Sequence, residues 1–579
     1  MSSSHPPRRH PALITELLSL IFSFLDERSA AKLIPVSRQW AEVAIDFVWR
    51  DVTDIRRLLN LLSPLCSEKL PAPRNCCSYN YKFKRNLLSN DWRRFDRYAR
   101  HIRRLTYDDC KRRYIDPSVW REIARSRPRQ DILPNLQSLV WLSTTAEKQH
   151  HSLLFMHSRV TRLSVNIHPS PLTFPYIQSI IAELPRTVEL ELRSESPMRD
   201  IEQEVLALLR GLTSLRRILA PMYCYTSAVV HQLSHMRELS DIMFGKPVEQ
   251  GTGERADVAT FSPRLEDGAF PALQNFCFSA HLIDATELIS GPFAPTHLTS
   301  LYVHILAVDD PYILQRFFTV ISKRFHHLKE LHVDFVISPD APIVYPAPPI
   351  AARPTIQTFR PLFACKRLRL FEFRWDYQMN LTQPDIEEMA SSWPLIEVLL
   401  LNCQPIPEPI RPGLTLRALI PFARHCPRLW QLGLYLDADP AHLSRLSGPI
   451  TPFKSLEVLS VGASSITAVE PVALFLSKLC PLSCRIISGV RWPDAYGIAL
   501  DRIGIYDDRR IRLTEFWVRW NDVSKVLPLA IKARMDEKDR MAVLQREMDA
   551  MSLSRQKERE RVDRLESELR DLRYRATRG

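Results

Sequence analysis

"LTSLYV" (Leu298–Val303) and "LKELHV" (Leu328–Val333) share one pattern, with apolar residues at the first, fourth and sixth positions. Successive side chains of an extended chain point to opposite faces. The fourth and sixth residues therefore share one strand face, the third and fifth share the other, and the first apolar residue enters from the turn. The pattern begins at residues 136, 160, 187, 215, 239, 273, 298, 328, 368, 396, 429 and 456. Helical stretches such as "PYILQRFFTVISKRF" (311–325) lie between copies, and proline precedes several copies, as in "FPAL" and "CPRL", where a helix must stop.

One such unit cannot cover its own apolar face, and stacking neighbours closes a continuous core. The spacing predicts an α/β solenoid over 133–523, with parallel strands on one side and helices on the other. The motif resembles the L-x-x-L-x-L core of leucine-rich repeats. Two segments, 245–271 and 337–361, stretch the period and read as loops on one edge of the array.

Alternation also predicts which side chains face away from the core. Residues Ser300, Tyr302 and His304, then Glu330, His332 and Asp334, then Leu370, Glu372 and Arg374, and finally Gln431 and Tyr435 should line the concave face. Tyr302, His304, Glu330, His332, Asp334, Glu372, Arg374 and Tyr435 are the candidate anchors for an unknown protein target, because aromatic and charged groups dominate recognition patches.

The 579 residues are 45% hydrophobic and 25% charged, with no apolar run of the length a membrane span needs. Eleven cysteines without a repeated CxxC argue for reduced thiols, hence cytoplasm or nucleus. The net charge of +13 is concentrated locally: Lys82 to Arg129 holds 16 Lys/Arg against 6 Asp/Glu. There Trp92, Phe95, Tyr98, Ile102 and Leu105 recur at three- and four-residue steps. That favours a core-facing helix with a solvated basic back over a nucleic-acid stripe. Residues 61–132 accordingly read as a basic helical connector.

The C-terminal segment 524–579 reads as a charged helix. Met541, Leu544, Met548, Met551, Arg555, Glu558, Val562, Leu565, Leu569 and Leu572 alternate steps of three and four, a coiled-coil seam that makes 541–576 a candidate for self-association. Catalytic signatures are missing: there is no GxxxxGK[ST], HExxH or GxSxG. The histidine pairs at 150/151 and 326/327 and the Cys480/Cys484 pair lack the second half of a zinc site. The chain is expected to bind rather than catalyse, with no cofactor and no metal.

At the other end, "LITELLSLIFSFLD" (Leu13–Asp26) spreads apolar residues over about 200° of a helical wheel, roughly twice what a helix lying on one core requires. With "VSRQW" and a closing Trp49, residues 10–60 resemble an F-box, a three-helix module. The order F-box, aromatic basic helix, repeats is similar to the large fungal, basidiomycete-type, group of F-box proteins. The resemblance implies a substrate-recognition subunit of an SCF ubiquitin ligase, which docks on the small adaptor and through it on cullin, and serves ubiquitin-dependent degradation. The wide apolar arc then serves two cores at once. Leu13, Ile14, Leu17, Leu18, Ile21, Phe22, Leu33 and Val36 are the expected adaptor contacts, with Trp40 buttressing the fold. A non-degradative F-box scaffold and a basic RNA-associated repeat protein are the alternatives.

Overall fold

A computed structural model describes residues 15–70, 78–109, 113–245, 253–307, 310–334, 347–443, 450–490 and 508–577. The chain divides into two compact units, Met1–Asp334 and Phe335–Gly579.

The first unit opens with three helices, α1 (Thr15–Ser23), α2 (Glu27–Ala31) and α3 (Arg38–Arg50). Asp26 caps α2, its carboxylate accepting from the Ser29 N–H at 2.6 Å, and Ser37 caps α3 by accepting from the Trp40 N–H at 3.2 Å. Short side chains that satisfy orphan helix donors thus set both corners. The closing Trp49 lies under the Arg57 guanidinium and beside Tyr98, which ties α3 to the helix Ser89–Ala99.

That helix buries Trp92, Phe95 and Ala99 while Arg93, Arg94, Arg97 and Arg100 stay exposed. The connector is not purely helical, however. It contains a small three-stranded sheet of Leu65–Leu70, Ser78–Phe83 and Arg113–Ile115. It also supplies the strand Arg104–Asp108, which pairs in parallel with Ser138–Leu142. Ile102, Leu105 and Tyr107 occupy the first, fourth and sixth positions of a repeat and are all buried. A further copy of the motif therefore lies inside the basic segment.

From there the strands run in chain order through the first unit, each parallel to the one before, up to Glu330–Asp334. The second unit repeats the scheme from Leu370–Phe373 to Arg485–Ser488. Every first, fourth and sixth position of the twelve copies is buried except Phe244. One recurring device holds the register. The carbonyl of the second residue of a copy accepts the N–H groups of the second and third residues of the next: Gln137 from Thr161 and Arg162, Gln274 from Thr299 and Ser300, Thr299 from Lys329 and Glu330, Glu397 from Trp430 and Gln431. This satisfies donors at the strand entrances that a turn would otherwise leave unpaired.

The final helix, Asp508–Ala576, starts well before the boundary expected at 524. Its first half docks on the second unit through Leu513, Trp520, Val523, Leu527 and Ile531, all buried. Trp517 Nε1 donates to Gly462 O at 3.0 Å, Trp520 Nε1 to Ser464 O at 2.9 Å and Arg534 Nη1 to Ser477 O at 2.7 Å. Among the described residues no helix is long and apolar enough to cross a membrane.

Candidate functional site

Helix α1 carries two apolar stripes side by side. Leu18 and Phe22 are fully buried against Val43 and Ala44, with Leu25, Leu33, Ile34, Trp40 and Phe47 packed around them. Phe22 meets Trp40 edge-to-face at 5.6 Å between ring centroids. About 130° away on the helix, Leu17, Leu20 and Ile21 face solvent, joined by Phe24 from the turn after α1 and Val36 from the turn after α2. Phe24, in the turn that follows α1, is 83% exposed, which is unusual for a phenylalanine beside a packed helix.

This split corrects the expected contact set. Leu18 and Phe22 belong to the unit's own core, because helical periodicity turns them toward α3; they have no surface left to offer. Leu33 is half-buried on the same cluster. Leu17, Ile21 and Val36 remain exposed, and Leu20 and Phe24 join them. Leu13 and Ile14 lie outside the described residues.

The concave face of the first unit is organised around a buried acid. Register places Tyr302 beside His332 and His304 beside Asp334. Asp334, fully buried, accepts from Tyr302 Oη at 2.6 Å and meets His304 Nδ1 at 3.0 Å. The other nitrogen of His304 lies 3.2 Å from Tyr223 Oη. His304 is only 2% exposed, so this histidine and Asp334 are structural ties between strands and do not reach a partner. Alternation alone puts both on the surface, but it sets the face of a residue and not what covers that face. Tyr302 and His332, with rings stacked at 5.0 Å, are half-buried, and Glu330 is exposed.

In the second unit Glu372 is buried and holds Arg374, its Oε1 accepting from Nε at 3.0 Å and from Nη2 at 2.8 Å. Arg374, with 16% of its side chain exposed, stands at the wall of a cavity of about 410 Å³ that Asn402, Gln404, Gln431 and Ser460 also line. Gly462, at φ +51°, forms part of the floor, beside an irregularity in the pairing of Val458–Gly462 with Arg485–Ser488. Tyr435 packs on the core cluster of Tyr377, Ile406, Ala463 and Leu513, so it serves the fold more than the surface. Asn402, in the left-handed region at φ +46°, accepts from the Trp375 N–H and donates to Tyr377 O, closing a turn with its side-chain amide.

Burial pushes the thiols of Cys277, Cys224 and Cys426 up to about 12 and those of Cys365 and Cys403 to about 11, the opposite of what a nucleophilic cysteine requires. Cys480 is also raised, first by its hydrogen bond with Cys484 and then by burial. One group of metal-donor side chains comes together among the described residues, His231, His235 and Glu266, the last in the first insertion. Both histidines engage backbone carbonyls through Nδ1, Arg264 O and His231 O respectively. Neither the histidine pairs nor the cysteine pair seen in the sequence takes part.

Comparison with known proteins places residues 15–54 in a match to the F-box-like family. A search of the curated proteins finds no match. Among solved structures, the chain is similar to one titled "Crystal structure of Rad7 and Elc1 complex in yeast", at 11% identity and a TM-score of 0.29, covering 59% of this chain and 79% of that one. The F-box-like match spans the three helices, both capped corners and the two-striped α1.

Proposed function

We propose that this protein is a substrate receptor of an SCF-type ubiquitin ligase. It binds the small adaptor, and through it cullin, with the F-box-like helices, and it binds a target protein with the repeats. The observation that carries the reading is the exposed stripe Leu17, Leu20, Ile21 and Phe24, set beside a separate inward stripe within residues that match the F-box-like family. A helix serving only its own core has no use for the second stripe.

The receptor supplies position rather than chemistry. Holding a target near a charged conjugating enzyme raises its effective concentration, and no side chain of the receptor needs to react. The target would meet Tyr302, Glu330 and His332 in the first unit, and Arg374 with its cavity in the second. Asp334 and Glu372 hold two of these side chains in fixed geometry, which lowers the entropy lost on binding.

The test is adaptor binding by the full chain. The Leu17→Asp/Ile21→Asp variant should lose adaptor binding while keeping the wild-type melting temperature within a few degrees. Undiminished binding by that variant, or no binding by the wild type, overturns the proposal. A scaffold outside degradation would bind the adaptor yet leave a bound target unmodified in a reconstituted ubiquitylation reaction.

A further inference from the structure

Beyond Arg534 the final helix leaves the repeats, and from Lys532 to Tyr574 every residue is exposed. Eight large apolar residues of the seam, Met541 to Leu572, are each between 52% and 63% exposed. Such a stripe on a solvated helix is unsatisfied apolar surface. In two copies the eight residues offer area on the order of the 1,600 Å² of a standard stable interface.

The seam has an internal symmetry. About a point between Gln556 and Lys557, Met541 mirrors Leu572, Leu544 mirrors Leu569, Met548 mirrors Leu565, Met551 mirrors Val562, and Arg555 mirrors Glu558. We propose that residues 541–572 pair with the same residues of a second copy of this chain in an antiparallel coiled coil. Each mirrored pair then shares one layer. Four kinds of layer are apolar, and the two central layers set Arg555 of one copy against Glu558 of the other.

A parallel pair would stack Arg555 on Arg555 and Glu558 on Glu558 in the core, where like charges are poorly screened. Parallel pairing does favour the rim, matching Arg561 with Glu566 and Glu568 with Arg573, whereas the antiparallel pair brings Glu547 near Glu568. Rim charges are solvated and contribute little, so the buried layers decide. A charged central layer also fixes register, since any slip places Arg555 or Glu558 against an apolar residue. The geometry leaves room: Met541, opposite Leu572 of the second copy, lies seven residues, about 10 Å, beyond the last tether at Arg534.

Sedimentation of the full chain tests this. The wild type should have twice the 67.1 kDa chain mass at micromolar concentration. Arg555→Glu should halve that mass, as should Glu558→Arg, while an equimolar mixture of the two variants should restore the dimer. Because both residues are exposed in the single chain, folding is not at stake. A wild-type mass of one chain overturns the proposal, as does a dimer indifferent to Arg555→Glu. For orientation, oxidation should crosslink Met541→Cys to Leu572→Cys in a mixture of the two variants. A crosslink of Met541→Cys to itself, located by mass spectrometry of the peptides, overturns the antiparallel arrangement.

Discussion

Neighbouring residues of α1 have opposite fates, and their substitutions should separate accordingly. Leu17 and Ile21 face solvent, so changing them costs little stability and is read at a partner. Leu18 and Phe22 are fully buried, and Phe22→Ala should cost about 3–5 kcal/mol through lost burial and the cavity left behind. Denaturant melts of Phe22→Ala beside adaptor binding of Leu17→Asp/Ile21→Asp check the division. His151 offers a pH readout. It stacks on Trp120 at 5.5 Å, and burial holds its imidazole down at about 4, below the usual 6.5. Between those two values the unfolded chain binds more protons than the folded one, so stability rises with pH across this window. Acidification from pH 6.5 towards 4 should remove less than about 1.4 kcal/mol per pH unit, since the ring is partly solvated. His151→Phe should flatten that slope in urea melts; an unchanged slope would contradict the assignment.

At the scale of elements, the repeats are held by apolar triplets within each strand and by the shared carbonyl between strands. The first is a sequence pattern; the second is a backbone contact between residues about thirty apart. Gly462 shows how tightly the last strands fit. It adopts φ +51°, and a Cβ there would lie 1.8 Å from the carbonyl oxygen of Cys403. Its own carbonyl accepts from Trp517 Nε1, which anchors the final helix. Gly462→Ala should therefore destabilise the second unit by about 2 kcal/mol or more and loosen that helix. Hydrogen exchange should show the loss of protection spreading into residues 513–531, while the first unit keeps its own.

For the whole molecule, the proposed division of labour makes adaptor binding and target binding separable. Replacing Tyr302, His332 and Arg374 by alanine should leave adaptor affinity unchanged and lower target ubiquitylation about tenfold or more, the usual consequence of removing interface anchors. An equal fall in both would mean that the repeats had been damaged rather than a surface removed. Much of this organisation was legible in the chain. The i, i+3, i+5 triplets mark the strands, and the three- and four-residue steps mark the basic helix only as far as Ala99: Ile102 follows its end and Leu105 lies in the strand Arg104–Asp108. The copy at Ile102, Leu105 and Tyr107 is masked in the chain, because its triplet sits among arginines and its first two members also continue the helical spacing of Trp92, Phe95 and Tyr98.

Periodicity is written in the chain: which residues share a face, where strands and helices alternate, and that α1 has more apolar arc than one core uses. These follow from backbone geometry, which is local. Packing in three dimensions sets which half of that arc is used. It turned Leu18 and Phe22 inward against α3 and left Leu17, Leu20, Ile21 and Phe24 outside. It also buried His304, Asp334 and Glu372 on a face that alternation marked as open, because burial depends on what distant segments such as Tyr223 place over a strand. Periodicity is a property of neighbours in the chain, whereas exposure is a property of neighbours in space.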